Sequence, residues 1–206
     1  MRRTPLYEAH RRANAKLVDF AGWEMPVHYG SQIEEHHAVR RDAGVFDTSH
    51  MLAADLEGPG ARAFLRRALA NEVERLRAPG KALYSCLLAG DGGVLDDLIV
   101  YWLGGERYRV VLNAATAAQD LDWLAKLGPD GLALRPRSDL AMLAVQGPRA
   151  RERFCAAFPE LRAAAEPLGV FFGAEAGDTF VARTGYTGED GFELLLPAAR
   201  VMDAWA

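Results

Sequence analysis

The chain has 206 residues and a net charge of -4, with 50% of its residues hydrophobic and 25% charged. That is enough apolar material for a real core and the balance of an ordinary folded protein rather than a disordered one. The excess of acid leaves no cationic footprint for phosphates, so the arginines at 2–3, 66–67 and 149–153 read as solvated helix faces and nucleic acid is excluded as a partner.

The apolar runs around Leu98 to Leu103 and Phe192 to Leu196 are too short to span a bilayer, so no membrane association is expected. No secretion signal follows the basic opening, and Cys86 and Cys155 lack metal or redox spacing and read as buried free thiols. A reducing, cytoplasmic setting fits.

Thr4-Pro5 predicts a capped helix start, with the helix running to about Ala13. Lys16 to Gly22 reads as a strand and turn. Ser31 to Glu34 is a capping box for a helix that stops near Gly44. Met51 to Leu56 is a strand, and Gly58-Pro59 opens the amphipathic helix Ala61 to Leu69. Ala82 to Ala89, Val94 to Leu103 and Tyr108 to Asn113 are β-rich runs separated by glycine turns, the pattern of an antiparallel meander.

Thr116 to Leu127 restores helical spacing, and a loop rich in Gly, Pro and Arg follows. Leu140 to Val145 is a strand, Gly147-Pro148 starts a helix ending near Phe158, and Thr179 to Arg183 and Phe192 to Leu196 flank a glycine-rich turn. Ala198 to Ala206 is helix-like with no stop signal, so the chain is expected to end inside a longer architecture. Strands mostly neighbour strands, which predicts an α+β fold of antiparallel sheets with flanking helices.

Two stretches can carry chemistry. In Leu95 to Tyr101, Asp96 and Asp97 interrupt an otherwise apolar strand, and a buried carboxylate there must be hydrogen-bonded, solvated or protonated. Alternation places Asp96 with Leu98 and Val100, and Asp97 with Ile99 and Tyr101; periodicity does not choose between the two faces. In Thr184 to Glu193, three glycines allow a tight turn or a close approach to a flat ligand, and Glu193 could accept two hydrogen bonds from an amidine-like edge. No nucleotide-binding loop or serine-hydrolase elbow is present, and His36, His37 and His50 lack metal-ligand spacing, so no metal is expected.

These stretches together resemble the T protein of the glycine cleavage system. They are Thr4-Pro5-Leu6-Tyr7, Val18 to Trp23 with Met25-Pro26 and Tyr29, Glu35 to Arg40, Gly44 to Met51, Lys81 to Ser85, Gly92 to Val100, Val145 to Pro148 and Thr184 to Glu193. The resemblance implies transfer of an aminomethyl group from the lipoyl arm of the H carrier protein to tetrahydrofolate, giving ammonia and 5,10-methylenetetrahydrofolate. It places Asp96 at the reactive folate nitrogens and Glu193 at the pterin edge, with Met51, Tyr84, Tyr101, Asn113 and Tyr186 lining the folate cavity.

It also implies a folate-binding region over 1–206, divisible into interleaved parts 1–50 with 139–206, and 51–138. The family's later arginine motif and β-rich domain are not in this sequence, which leaves a folate-binding fragment without turnover as an alternative. Relatives in sarcosine and dimethylglycine dehydrogenases need a dinucleotide-binding domain, and iron-sulfur-assembly relatives carry a Lys-Gly-Cys signature; neither feature is found here.

Overall fold

The structure, a computed structural model, describes residues 1–128 and 131–206. The chain forms two compact units, Met1–His50 with Asp139–Ala206, and Met51–Ser138.

The first unit opens with α1 (Tyr7–Arg12). Thr4 does not cap this helix through its side chain: its hydroxyl donates to the buried Asp47 at 2.6 Å, and the Thr4 carbonyl receives the Tyr7 amide. The hairpin of β1 (Lys16–Phe20) and β2 (Trp23–His28) turns at Ala21-Gly22, both left-handed. In α2 (Gln32–Arg41), the Ser31 hydroxyl accepts the Glu34 amide as the capping box requires. The helix ends before Gly44, which begins β3 (Gly44–Asp47) instead of serving as a left-handed stop.

In the second unit, β4 (Leu52–Glu57) leads to α3 (Ala61–Ala68), β5 (Ala82–Leu88), β6 (Val94–Gly104) and β7 (Arg107–Leu112). The α4 helix (Ala117–Leu127) follows, and then β8 (Ala133–Pro136), a strand inside the expected loop, whose positions 129 and 130 lie outside the described residues. The sheet is five-stranded and antiparallel, in the order β5-β6-β7-β4-β8. Phe64 and Leu65 of α3 and Leu124 of α4 pack on Leu83, Leu87, Leu98, Val100, Val110 and Leu112. Each of these large side chains contributes about 1.5–3 kcal/mol by leaving water.

The chain then returns to the first unit with β9 (Leu140–Gln146), α5 (Ala150–Ala157), α6 (Arg162–Ala165), β10 (Phe172–Ala176), β11 (Thr179–Arg183), β12 (Gly191–Pro197) and α7 (Val201–Trp205). The antiparallel sheet runs β10-β11-β12-β9-β3. Leu143, Val145, Val181, Phe192, Leu194 and Leu196 pack with Phe154 of α5, Ala165 of α6 and Val201 of α7. No helix among the described residues is long and apolar enough to cross a membrane.

Gly147 follows β9 with φ +139°, and a Cβ there would meet the carbonyls of Asp42 at 2.5 Å and Val39 at 2.7 Å. Both obstacles are backbone and cannot swing aside. Gly147→Ala is expected to destabilise the chain by at least about 2 kcal/mol, readable by denaturant titration; a midpoint equal to the parent's would refute the crowding argument.

Candidate functional site

The two aspartates of β6 part company. Asp96 follows the inward alternation of Leu98 and Val100 onto the face covered by α3 and α4. There the Thr116 hydroxyl donates to its Oδ2 at 2.6 Å and the Asn113 side-chain amide to its Oδ1 at 3.0 Å. Burial pushes this carboxyl up, but Thr116 and Asn113, together with Asp120 and the Asp97 backbone, outweigh it and hold Asp96 below the usual carboxylate range. Both oxygens of Asp96 are thus engaged in tying β6 to the start of α4.

Asp97 lies on the opposite face. Its cross-strand neighbour is Cys86, and Ile99 opposite Tyr84, then Tyr101 opposite Ala82, continue the row. Tyr84 is 51% exposed. Its hydroxyl leans on the Asp97 carboxylate, which pushes the phenol above its ordinary value. This face sets a half-buried carboxyl beside an exposed phenol, while Tyr101, farther along the same row, is buried at 1% exposure. Asn113 also donates to the Asp97 carbonyl at 2.9 Å, so one amide fixes the backbone between the pair. Cys86 is a free thiol and only half-buried, unlike the buried Cys155.

Farther across this face, where β6, β7 and β4 lie side by side, Arg109 holds Asp55 with two bonds of 2.7 and 3.0 Å, and Arg137 adds one of 2.8 Å. Burial raises the Asp55 carboxyl, and the two guanidinium groups more than reverse this, leaving it below the ordinary range.

In the first unit, Glu193 sits in mid-sheet on β12 with Ala182 and Ala144 as cross-strand neighbours. These side chains are too short to cover a carboxyl. It is only 9% exposed, and burial pushes its pKa up from 4.5. Thr184 lies beside it and favours the charged form, yet its buried hydroxyl is outside hydrogen-bonding geometry. A desolvated, poorly partnered carboxyl in a sheet costs stability and suits a site completed by an outside donor.

The turn before Glu193 is fixed by Gln146, which accepts the Thr187 amide at 3.2 Å and hydroxyl at 3.0 Å, and by Arg40 on Glu189 at 2.9 Å. Tyr186 stands on this turn, 76% exposed. Beneath the turn is a hollow of ≈ 310 Å³ lined by Val27, Gln32, Glu35, His36, Phe46 and Thr187 among others.

Of the residues expected to line one cavity, the second unit brings Tyr84 and Tyr101 onto a single face. Asn113 instead binds Asp96, and Met51 is half-buried in the bend before β4. Sequence reasoning paired Asp97 with Asp96 without choosing between them from the pattern, and singled out neither Thr116 nor Asp120. The deciding signal, the pairing register of β5, β6 and β7, is not readable from one strand. Among the described residues no three His, Cys, Asp or Glu side chains gather to hold a metal ion.

The chain is a two-unit α+β protein with carboxyls set into antiparallel sheets, and comparison with known proteins narrows that class. Residues 6–206 match the family model described as the GCVT N-terminal domain, and the chain belongs to that family. It is 59% identical to an aminomethyltransferase of Bordetella petrii and 54% identical to one of Nitrosomonas europaea, in both cases over 100% of this chain and 57% of the relative. The crystal structure of glycine cleavage system aminomethyltransferase T from Bartonella henselae superposes with a TM-score of 0.90 at 38% identity, over 98% of this chain and 55% of that one. Heterotetrameric sarcosine oxidase from Corynebacterium shares the fold, with a TM-score of 0.55 at 18% identity. The chain spans 57% of the length of the curated relatives it matches.

Proposed function

We propose that this chain is the folate-binding part of a cytoplasmic glycine cleavage aminomethyltransferase. It accepts an aminomethyl group from the lipoyl arm of the H carrier protein and passes its carbon to tetrahydrofolate. The carbon loses its bonds to lipoyl sulfur and to nitrogen and gains bonds to two folate nitrogens. The two protons given up by those nitrogens go to the thiol and to ammonia, and 5,10-methylenetetrahydrofolate leaves.

The observation that carries this reading is the half-exposed Asp97 carboxylate beside the exposed Tyr84, in a chain whose whole length matches 57% of an aminomethyltransferase. The resemblance pointed to Asp96, but its oxygens are occupied by Thr116 and Asn113. We therefore assign the reacting carboxylate to Asp97 and give Asp96 a positioning role. Asp97 can orient a nucleophilic N–H and offset the positive charge that develops as the carbon migrates. Tyr84, 51% exposed beside Asp97, supplies aromatic surface for a flat ligand, and the buried Tyr101 backs the same row of the sheet. Glu193 takes the pterin edge, where paired N–H donors would complete the hydrogen bonding that Thr184 leaves unmade. Met51 and Tyr186 are assigned to the cavity rim with Asn113 as a support.

Glu193→Gln tests the recognition role in two opposite directions. An amide cannot replace a carboxylate on two N–H donors, so the Kd for tetrahydrofolate, measured by calorimetry, should rise about ten- to a hundredfold. The ligand-free variant should be the more stable one. Because the folded Glu193 holds its proton more tightly than the unfolded 4.5, ionising it erodes stability as pH rises through the folded value. The melting advantage of the variant should therefore be present near neutral pH and vanish in acid. Unchanged folate affinity would remove Glu193 from recognition.

A further inference from the structure

The α4 helix carries a second carboxyl behind the site. Asp120 is fully buried, and neither of its oxygens has a hydrogen-bond partner of good geometry. Its neighbours are Thr116, one turn earlier, and Asp96, whose oxygens are already taken by Thr116 and Asn113. Among the described residues no cation offsets it: on α3, Arg67 reaches the Leu127 carbonyl at the far end of α4, Asp122 and Lys126 are exposed, and Asp97 faces the other side of the sheet. Two ionised carboxylates in this setting would repel each other with no donor between them.

We propose that Asp120 keeps its proton and shares it with Asp96, and that this carboxyl–carboxylate pair is a positioning element holding the Asp96-Asp97 step of β6. The inference rests on reading Asp97 as the reacting carboxylate. Protonated Asp120 is the donor that this otherwise unsatisfied corner needs. Burial first, and then the Asp96 charge, push Asp120 up to about 7. The pair binds one proton between them, and its loss on the alkaline side sets like charges against each other beneath the backbone that carries Asp97.

The experiment is a carboxyl-carbon NMR titration of the whole chain labelled at aspartate, together with methylenetetrahydrofolate formation from loaded H protein across the same pH range. In the parent, a buried aspartate should titrate near neutrality, the Asp97 signal should report the same midpoint, and the rate should fall about tenfold above it. Asp120→Asn, whose amide can donate to Asp96 at every pH, should abolish that titration, release the Asp97 signal from it and flatten the alkaline fall. The absence of any aspartate titrating near neutrality in the parent would overturn the proposal, as would an Asp97 signal indifferent to that step. The parent titration needs no variant to fold. Failure of the Asp97 assignment is distinguishable: Asp97→Asn would then turn over normally while the shared proton of Asp96 and Asp120 still titrated.

Discussion

Asp97→Asn is expected to leave the chain folded and to lower the rate of methylenetetrahydrofolate formation by a factor of about 10²–10⁴, the range for removing one positioned acid–base group. The fold survives because Asp97 lies at the partly open face of β6 and its amide replacement fills the same space. Binding should suffer less than turnover, since the charge matters most where the migrating carbon carries positive character. A turnover-independent sign accompanies the loss. Asp97 is the first cause of the raised Tyr84 phenol, so Tyr84 should titrate closer to its ordinary 10.0 in the variant, visible by ultraviolet absorbance. An Asp97→Asn chain with the parent's rate would sink the assignment, whatever the Tyr84 titration shows.

The same pair marks where the sequence was legible and where it was not. Two carboxylates in an apolar strand announced a site, because an unpaired buried charge is too costly to be incidental. Which of them faces a ligand depends on which side of the sheet the helices cover. That is settled by the packing of α3 and α4, more than 15 residues away on either side of the pair. The hairpins around Gly90 to Gly93 and Gly104-Gly105 were readable because their turns require glycine, and Gly92, Gly104 and Gly105 all have positive φ.

Four strands, β2, β3, β8 and β10, have no counterpart in the sequence reading, and for the last two the reason is local. β8 is an edge strand with only Leu134 half-buried among exposed residues, so it shows little alternation. β10 reads Phe-Gly-Ala-Glu-Ala, and its Gly173 is there to admit the Phe180 ring, which would stand 2.3 Å from a Cβ. Thr4 looked like a cap because its type and spacing fit one; the hydroxyl is claimed by Asp47, 43 positions on, a contact no local pattern encodes.

Asp55→Ala should produce the largest loss of stability among the polar substitutions considered. The carboxylate is 5% exposed and takes three short bonds from Arg109 and Arg137. Removing it takes the bonds of 2.7 and 3.0 Å away from the Arg109 guanidinium, itself 6% exposed. Breaking one side of such a network costs about 3–5 kcal/mol, because the desolvated charge left behind loses its compensation. For a chain of this size the melting temperature should fall by roughly 10 °C. The loss should depend on pH in a defined direction. Asp55 titrates below its ordinary 3.8 in the folded chain, so its contribution is complete above that value and fades as pH falls through the lower folded one. The gap between parent and variant should therefore be constant through the neutral range and narrow only in strong acid. Asp55→Leu combined with Arg109→Met should regain part of the loss, since an apolar pair leaves no buried charge unmatched. If the double variant is no more stable than Asp55→Ala, the cost lies in lost packing or in the Arg137 contact, and the buried Arg109 charge is not its source.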